Sequence, residues 1–519
     1  MLNLRSIVFF ALLPAAAASG QVRMPKILSD HMVVQRELPV HLWGMATPGE
    51  QVSVTFRGET RSTTATKLGR WSLYLKPGAA GGPFEMTIKS TPAAAPSASA
   101  HASGSADGAT PQTITISDVL VGDVWVASGQ SNMEFAMSQA ESASTDLPKA
   151  DIPHVRLLIV DKKAADYPQE DVDTKGWAAS TSETAKDFSA VAWYFAREIE
   201  QREHVPVGVI DSTWGGTPAE AWTRLTALGD DAQLNSLFAA RGKMLDAAAD
   251  TALEILDEQR QVAEAKAQGK TEPTFPWRPD PNSWGPGNLW NGMIAPLTGM
   301  AIRGAIWYQG ESNAGRERYP TYNRVMRDLI EDWRQQWSVG EFPFYYVQIA
   351  NFITDPDDNW ADLRNQQLKT LGLRNTAMAV TIDIGNPNNI HPTDKMDVGH
   401  RLALAARAMN YGESGLEYSG PIFRQATMDG NSVRAWFDHA KGLNAKGGTA
   451  NGAEVTSVEV AGSDGKFASA RATVDGETIV ASSPEVPNPV AIRYGWASSP
   501  RCNLFNGDGL PASPFTSVQ

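Results

Sequence analysis

Between residues 24 and 91 apolar and polar positions alternate in short runs, "VHLWGM", "QVSVTF" and "WSLYL", separated by "ATPGE" and "FRGET". A period of two turns one face of each run toward a core and the other toward water, which predicts a small antiparallel β domain. From "ITISDVLVGDVWVASG" the texture changes. "FSAVAWYFAREIEQR" repeats its apolar residues at helical spacing, whereas "VPVGVIDS", "IRGAIWYQG", "FPFYYVQIA" and "TAMAVTIDIG" are short apolar runs of the kind that fill a buried sheet. Strands alternating with helices predict an α/β fold, a parallel sheet with helices on both faces.

Other segments interrupt or flank this layer. The stretch from Pro92 to Gln112, "PAAAPSASAHASGSADGATPQ", is low-complexity Ala, Ser, Gly and Pro that offers no apolar face, so it reads as a loop or linker. Residues from about 228 to 270 are rich in Ala, Leu, Glu and Lys and predict one long helix or a helical hairpin inserted at the periphery. Beyond Pro421, "SVRAWF", "VTSVEVAG", "TIVASS" and "NPVAIRYGWA" return to strand and turn. The expected order is a β domain over 24–91, a linker over 92–112, an α/β core over 113–420 and a β-rich region over 421–519. The last should pack against the core.

Residues 1–20 fall outside this scheme. Arg5 precedes the apolar "IVFFALLPAAAA" and small residues follow, the order of a secretory signal, with cleavage expected near Ala18 or Gly20. An exported protein, periplasmic or extracellular, is the expectation, with no membrane span because no later segment reaches about 20 uninterrupted apolar residues. The single cysteine, Cys502, leaves no intrachain disulfide, so burial must supply stability. A net charge of −13 argues against a nucleic-acid partner, which needs a basic footprint. Sixteen tryptophans are mostly core material, yet indole faces also stack on sugar rings, which favours a carbohydrate ligand.

Open parallel sheets hold their sites at the carboxyl ends of strands. Ser131 follows "DVWVAS", Gly215 and Gly216 follow "VGVIDSTW", Gln309 follows "RGAIWY" and Asp383 follows "TAMAVTI". Each alone is an ordinary turn residue, but the four strand ends carry them at equivalent places. A serine hydroxyl attacks only when a base takes its proton. In "IHPTDKMDVGHRLALAARAMN", Pro392 keeps His391 out of helical geometry, and Thr393 or Asp394 can cap the helix that follows, so His391 is the best placed base. His154, His204 and His400 read as structural. One histidine with no second ligand at metal spacing leaves no metal site, and no cofactor is expected.

"GQSNM", "WGGTPAEAW", "WYQGESNA" and "IHPTDKMDVGHRLA", with the flanks "LSDHMVVQRELPVHLWG" and "NPVAIRYGWASSPRCNLFNGDGLPASPF", resemble the sialate O-acetylesterase-like branch of the SGNH hydrolases over most of the chain. The resemblance implies a three-layer SGNH core with flanking sandwich- or jelly-roll-like β regions, and hydrolysis of acetyl esters on sugars. It makes Ser131 the nucleophile and His391 the general base. The oxyanion donors it implies are the main-chain N–H of Ser131, that of Gly215 or Gly216, and the amide of Gln309, with Asn313 as fallback. Gln130 and Asn132 would brace the turn or meet substrate, and Trp214, Trp307 and Tyr308 would wall a sugar ring.

Many SGNH enzymes carry Asp three residues before the histidine, where this chain has Asn388. An amide can orient an imidazole but cannot stabilise the imidazolium as a carboxylate does. Asp383 is the leading candidate for the missing acid, followed by Glu311 and Asp394. Otherwise a Ser-His dyad operates. The substrate stays open between acetylated sialic acid and hemicellulose such as xylan or xyloglucan. An inactive secreted carbohydrate-binding protein is the alternative from another class, and a serine peptidase is disfavoured for want of a peptide-recognition motif.

Overall fold

The computed structural model describes residues 22–91, 111–354, 359–446 and 454–518. The expected signal segment and almost all of the expected linker lie outside the described residues. Among them, no helix is long and apolar enough to cross a membrane.

The centre is a sheet in the order Thr376–Ala379, Phe344–Val347, Gly304–Tyr308, Gln112–Gly129, Val207–Thr213, Ile152–Ile159 and Ala178–Ser180, parallel throughout except for the last, antiparallel edge strand. Side chains alternate across it. Trp125, Ala127, Val207, Val209 and Ile306 face a core shared with Val191 and Phe195 of helix Ala190–Glu203 and Leu402 of helix Met396–Ala405. Val124, Val126, Ile210, Ala305 and Trp307 face the opposite core, with Leu329 and Trp333 of helix Tyr322–Trp337. Burial on both faces explains why these strands are continuous apolar runs. The chain is therefore an α/β protein with a parallel three-layer core, as the pattern predicts.

Helix Ala190–Glu203 begins where the Ser189 hydroxyl accepts the Ala192 N–H, and it stops at His204, whose left-handed backbone directs its N–H to the Glu200 carbonyl. His204 is thus a helix end, and His400 sits on its own helix paired with Glu198, so both have the structural roles expected of them.

Strand Gln112–Gly129 does more than cross the central sheet. Its first half pairs with Gly81–Thr91 and, in parallel, with Val33–Gln35, so the amino-terminal β layer and the core share one 18-residue strand. Gln112, expected to end the linker, begins that strand. The insertion forms two consecutive helices, Asn235–Asp250 and Ala252–Ala267, separated only by Thr251.

The carboxy-terminal region is an antiparallel sheet of five strands, one of four and a two-stranded pair, around a core containing Val433, Ala435, Val460, Ile492 and Phe515. It is bolted to the α/β layer by Arg364, whose wholly buried guanidinium donates to the carbonyls of Ile349 and Ala350 on one side and of Ala497 and Ser498 on the other. Those four carbonyls satisfy a cation that burial would otherwise penalise heavily.

Candidate active site

The central strand stops at Gly129, at φ +132°, where a Cβ would come within 2.2 Å of the Tyr308 carbonyl oxygen of the neighbouring strand, so only glycine fits. Gln130 then donates its N–H to that same oxygen at 3.0 Å, and Ser131 opens a single helical turn, Ser131–Glu134. The tight bend lifts the hydroxyl out of the sheet. Gln130 secures it from behind: its side-chain oxygen accepts from the Ser312 N–H at 3.2 Å and from Gln309 Nε2 at 3.2 Å.

His391 arrives from a loop. Its backbone N–H is held by the Asn389 side chain at 2.9 Å, and Asp394 accepts the Asp397 N–H at 3.0 Å in the first turn of the following helix. The ring is thereby set so that Nε2 lies 2.7 Å from Ser131 Oγ, within reach for proton transfer. Burial, and then the nearby Lys395 ammonium, hold the imidazole below its ordinary 6.5, with Glu134 opposing them. The base is neutral at neutral pH.

The bend and the histidine loop are joined by a buried side-chain network. Asn132 donates to Glu311 Oε1 at 2.6 Å and to the carbonyl of Ile390 at 3.0 Å, while its own oxygen accepts from Lys395 Nζ at 2.5 Å. Burial pulls Lys395 down to about 7 and raises Glu311 above the usual carboxylate range. The ammonium also lies 4.7 Å from the Phe135 ring centroid.

Ser131 and His391 open onto a cleft of about 920 Å³ lined also by Glu134, Phe135, Lys162, Asp187, Asp211 and Asn389. Burial lifts Asp211 to about 7, although it accepts from Thr213 Oγ1 at 2.7 Å and the Ser189 N–H at 3.2 Å. Glu134 takes the Gly215 N–H on one oxygen and Lys162 on the other, each at 2.5 Å. A Cβ at Gly215 would sit 3.1 Å from that of Ser131, so this loop touches the hydroxyl-bearing residue.

Several expected roles do not survive this geometry. Asp383 is gripped by Arg401, with Oδ1 and Oδ2 at 2.7 and 2.8 Å, and lines a different cavity with Cys502 and Phe505. Among the described residues no carboxylate bonds the second ring nitrogen of His391. Glu311 reaches the histidine loop only through Asn132, and Asp394 is spent on its helix. The Gln309 amide is consumed by Asn313 Oδ1 at 2.6 Å together with Gln130 and Thr217, and Asn313 itself donates to Glu220 at 2.8 Å, so neither amide faces Ser131. Trp307 and Tyr308 are 1% and 0% exposed and belong to the core, not to a wall. Gln130 and Asn132 are likewise buried, which leaves them as braces and not substrate contacts. Trp214 is half-buried, in a neighbouring hollow with Asp280, Asn282 and Asn288.

A family model described as "Carbohydrate esterase, sialic acid-specific acetylesterase" matches residues 266–408. The sialate O-acetylesterases of Pongo abelii and Homo sapiens are each 33% identical to this chain, in alignments covering 77% of it and 73% of them. The chain belongs to the sialate O-acetylesterase family. A carbohydrate acetylesterase from Xanthomonas citri superposes with a TM-score of 0.79 at 35% identity, covering 96% of this chain and 99% of that one. Membership makes the protein a carboxylic ester hydrolase of the carbohydrate O-acetylesterase kind. Within this sialate O-acetylesterase fold, the sequence reading brought together Ser131, His391 and Gly215 but overlooked Glu134, Lys162, Asp211 and Lys395. Glu134 was findable, standing one helical turn after the serine. Lys395 has no distinguishing local signal, because its burial depends on Glu311 and Phe135, far away in sequence.

Proposed function

We propose that the protein is an exported serine acetylesterase that deacetylates neutral sugars by way of an acyl-enzyme on Ser131. The observation that carries this reading is the 2.7 Å contact between Ser131 Oγ and His391 Nε2 at the floor of the cleft. His391 takes the hydroxyl proton as Oγ attacks the acetyl carbon, and the resulting imidazolium returns that proton to the departing sugar oxygen. Water, activated by the same histidine, then releases acetate. The developing oxyanion is assigned to main-chain N–H groups, those of Ser131 and of Gly216, since Glu134 already takes the expected Gly215 N–H, each such donor being worth about 3 kcal/mol in the transition state. His391 acts here as one half of a dyad.

Cleft charge favours a neutral sugar over sialic acid. Glu134, Asp161 and Asp187 line it against the single lysine, Lys162, and Lys162 is already paired with Glu134. The carboxylate of a sialic acid would meet like charge in a partly desolvated space. The acetylated xylose and glucose backbones of xylan and xyloglucan carry no such group. Export rests on the amino-terminal charged, apolar and small-residue order and is checked by sequencing the mature amino terminus. Acetate release measured side by side from acetylated xylan, xyloglucan and sialic acid tests the substrate reading. A higher kcat/KM on the sialic acid overturns the neutral-sugar preference, and saccharide binding with no turnover of any acetyl ester returns the inactive binding protein.

A further inference from the structure

Downstream of the two inserted helices, the sequence "TFPWRPDPNSWG" carries Trp277 between Pro276 and Pro279. Trp277 is 68% exposed, in contrast to the tryptophans of the core, several of which are wholly buried. It is nevertheless held in place. The indole edge lies over Gly216, where a Cβ would come within 3.0 Å of the ring, and that residue's φ of +73° is a left-handed conformation that favours glycine. Gly216 is the neighbour of Gly215, which touches Ser131. A large aromatic surface therefore stands open to solvent beside the loop that touches the nucleophile.

Two anchors hold it there. Trp284, with its ring centroid 5.9 Å from that of Trp277, donates Nε1 to the Gly216 carbonyl at 2.7 Å and is covered on one side by the Arg318 guanidinium at 4.7 Å. Arg278, the residue after Trp277, makes a two-pronged pair with Glu258 of helix Ala252–Ala267 at 2.7 and 3.1 Å. The proline on each side restricts the backbone further. This arrangement gives the inserted helices a purpose, since their Glu258 fixes the segment that presents the indole. An exposed tryptophan that buries no core area but is braced from two directions has the properties of a binding platform.

We propose that Trp277 is a specificity-determining residue of the deacetylation reaction, the platform on which a pyranose ring of the acetylated saccharide stacks while its ester reaches Ser131. The proposal rests on the acetylesterase reading above and adds where the sugar lies. It assigns no chemistry to the indole. Trp277 orients substrate, and Ser131 and His391 act without it on an ester that has no ring.

The test compares an acetylated xylo-oligosaccharide with triacetin, a small ester offering no ring to stack. Trp277→Ala should raise KM for the oligosaccharide by roughly tenfold, the scale of one lost stacking contact. On triacetin kcat/KM should stay within about twofold of the parent. Trp277→Phe should restore most of the oligosaccharide KM, and Glu258→Ala, which frees Arg278, should raise it partway. An unchanged oligosaccharide KM in Trp277→Ala overturns the proposal, and so does an equal loss on both esters, which would make the tryptophan structural. Failure of the parent to hydrolyse triacetin or any other acetyl ester would instead strike the acetylesterase reading itself.

Discussion

Lys395 Nζ donates to Asn132 Oδ1 at 2.5 Å, so the residue after the nucleophile and a buried cation of the histidine loop are directly bonded. The charge has a kinetic consequence. Protonated Lys395 disfavours protonated His391; Glu311 and Asp394 face Lys395, Glu134 faces His391, and the Phe135 and Tyr308 rings lie 4.7 and 5.3 Å from the ammonium. Activity requires neutral His391 and is lost as pH falls through its pKa. Lys395→Met removes the cation, the pKa rises, and the acid limb of the kcat/KM profile moves to higher pH. A limb that stays put, in a variant of parental fold by circular dichroism, would mean that Lys395 only braces Asn132.

Ser131→Ala deletes the attacking oxygen and little else, because the hydroxyl faces the cleft. We expect kcat to fall by at least about 10⁴-fold with a melting temperature within a few degrees of the parent. Turnover within tenfold of the parent would remove Ser131 from the reaction.

Asp383→Asn separates stability from catalysis. Removing one partner of a buried ion pair strands the other, at a cost of about 3 kcal/mol, and Arg401 is the stranded partner here. The expected result is a clearly lowered melting temperature with kcat, assayed well below it, within about tenfold of the parent. A kcat loss of 10³-fold without thermal destabilisation would restore Asp383 as the orienting acid.

Asp211 is lifted to about 7 in the fold, far above the usual 3.9 of an unfolded aspartate. Between those values the native state holds a proton that the unfolded chain has released, so stability from this group is complete at low pH and drains away as pH rises toward and through 7. Asp211→Asn removes that dependence. Thermal melts at pH 5 and pH 8 should differ less in the variant than in the parent, and an unaltered difference would show that Asp211 does not titrate there.

The layers of the fold were legible because the inner strands of the central sheet are buried on both faces and each amphipathic helix repeats at its own period. Strand Ile152–Ile159 escaped notice because His154 and Arg156 interrupt its run, Arg156 being paired with Asp118 from outside the segment. Ser131 and His391 were legible for a related reason, since a bend after an apolar strand and a proline before a helix are local signals. Asp383 misled because a carboxylate at a strand end looks alike whether its partner is imidazole or guanidinium, and Arg401 lies a helix away. Trp307 and Tyr308 misled because sequence neighbours on a strand alternate across the sheet, and here both faces are covered.

Ser131 hangs from a strand whose other end is woven into the amino-terminal β layer. That layer is therefore not an appendage that can be trimmed from an autonomous catalytic unit. Pulling Gly81–Thr91 away exposes the front half of the strand that carries the nucleophile, so melting of the two layers should be cooperative and appear as one calorimetric transition. A shortened enzyme beginning at the core would carry an unpaired strand edge, an invitation to aggregate.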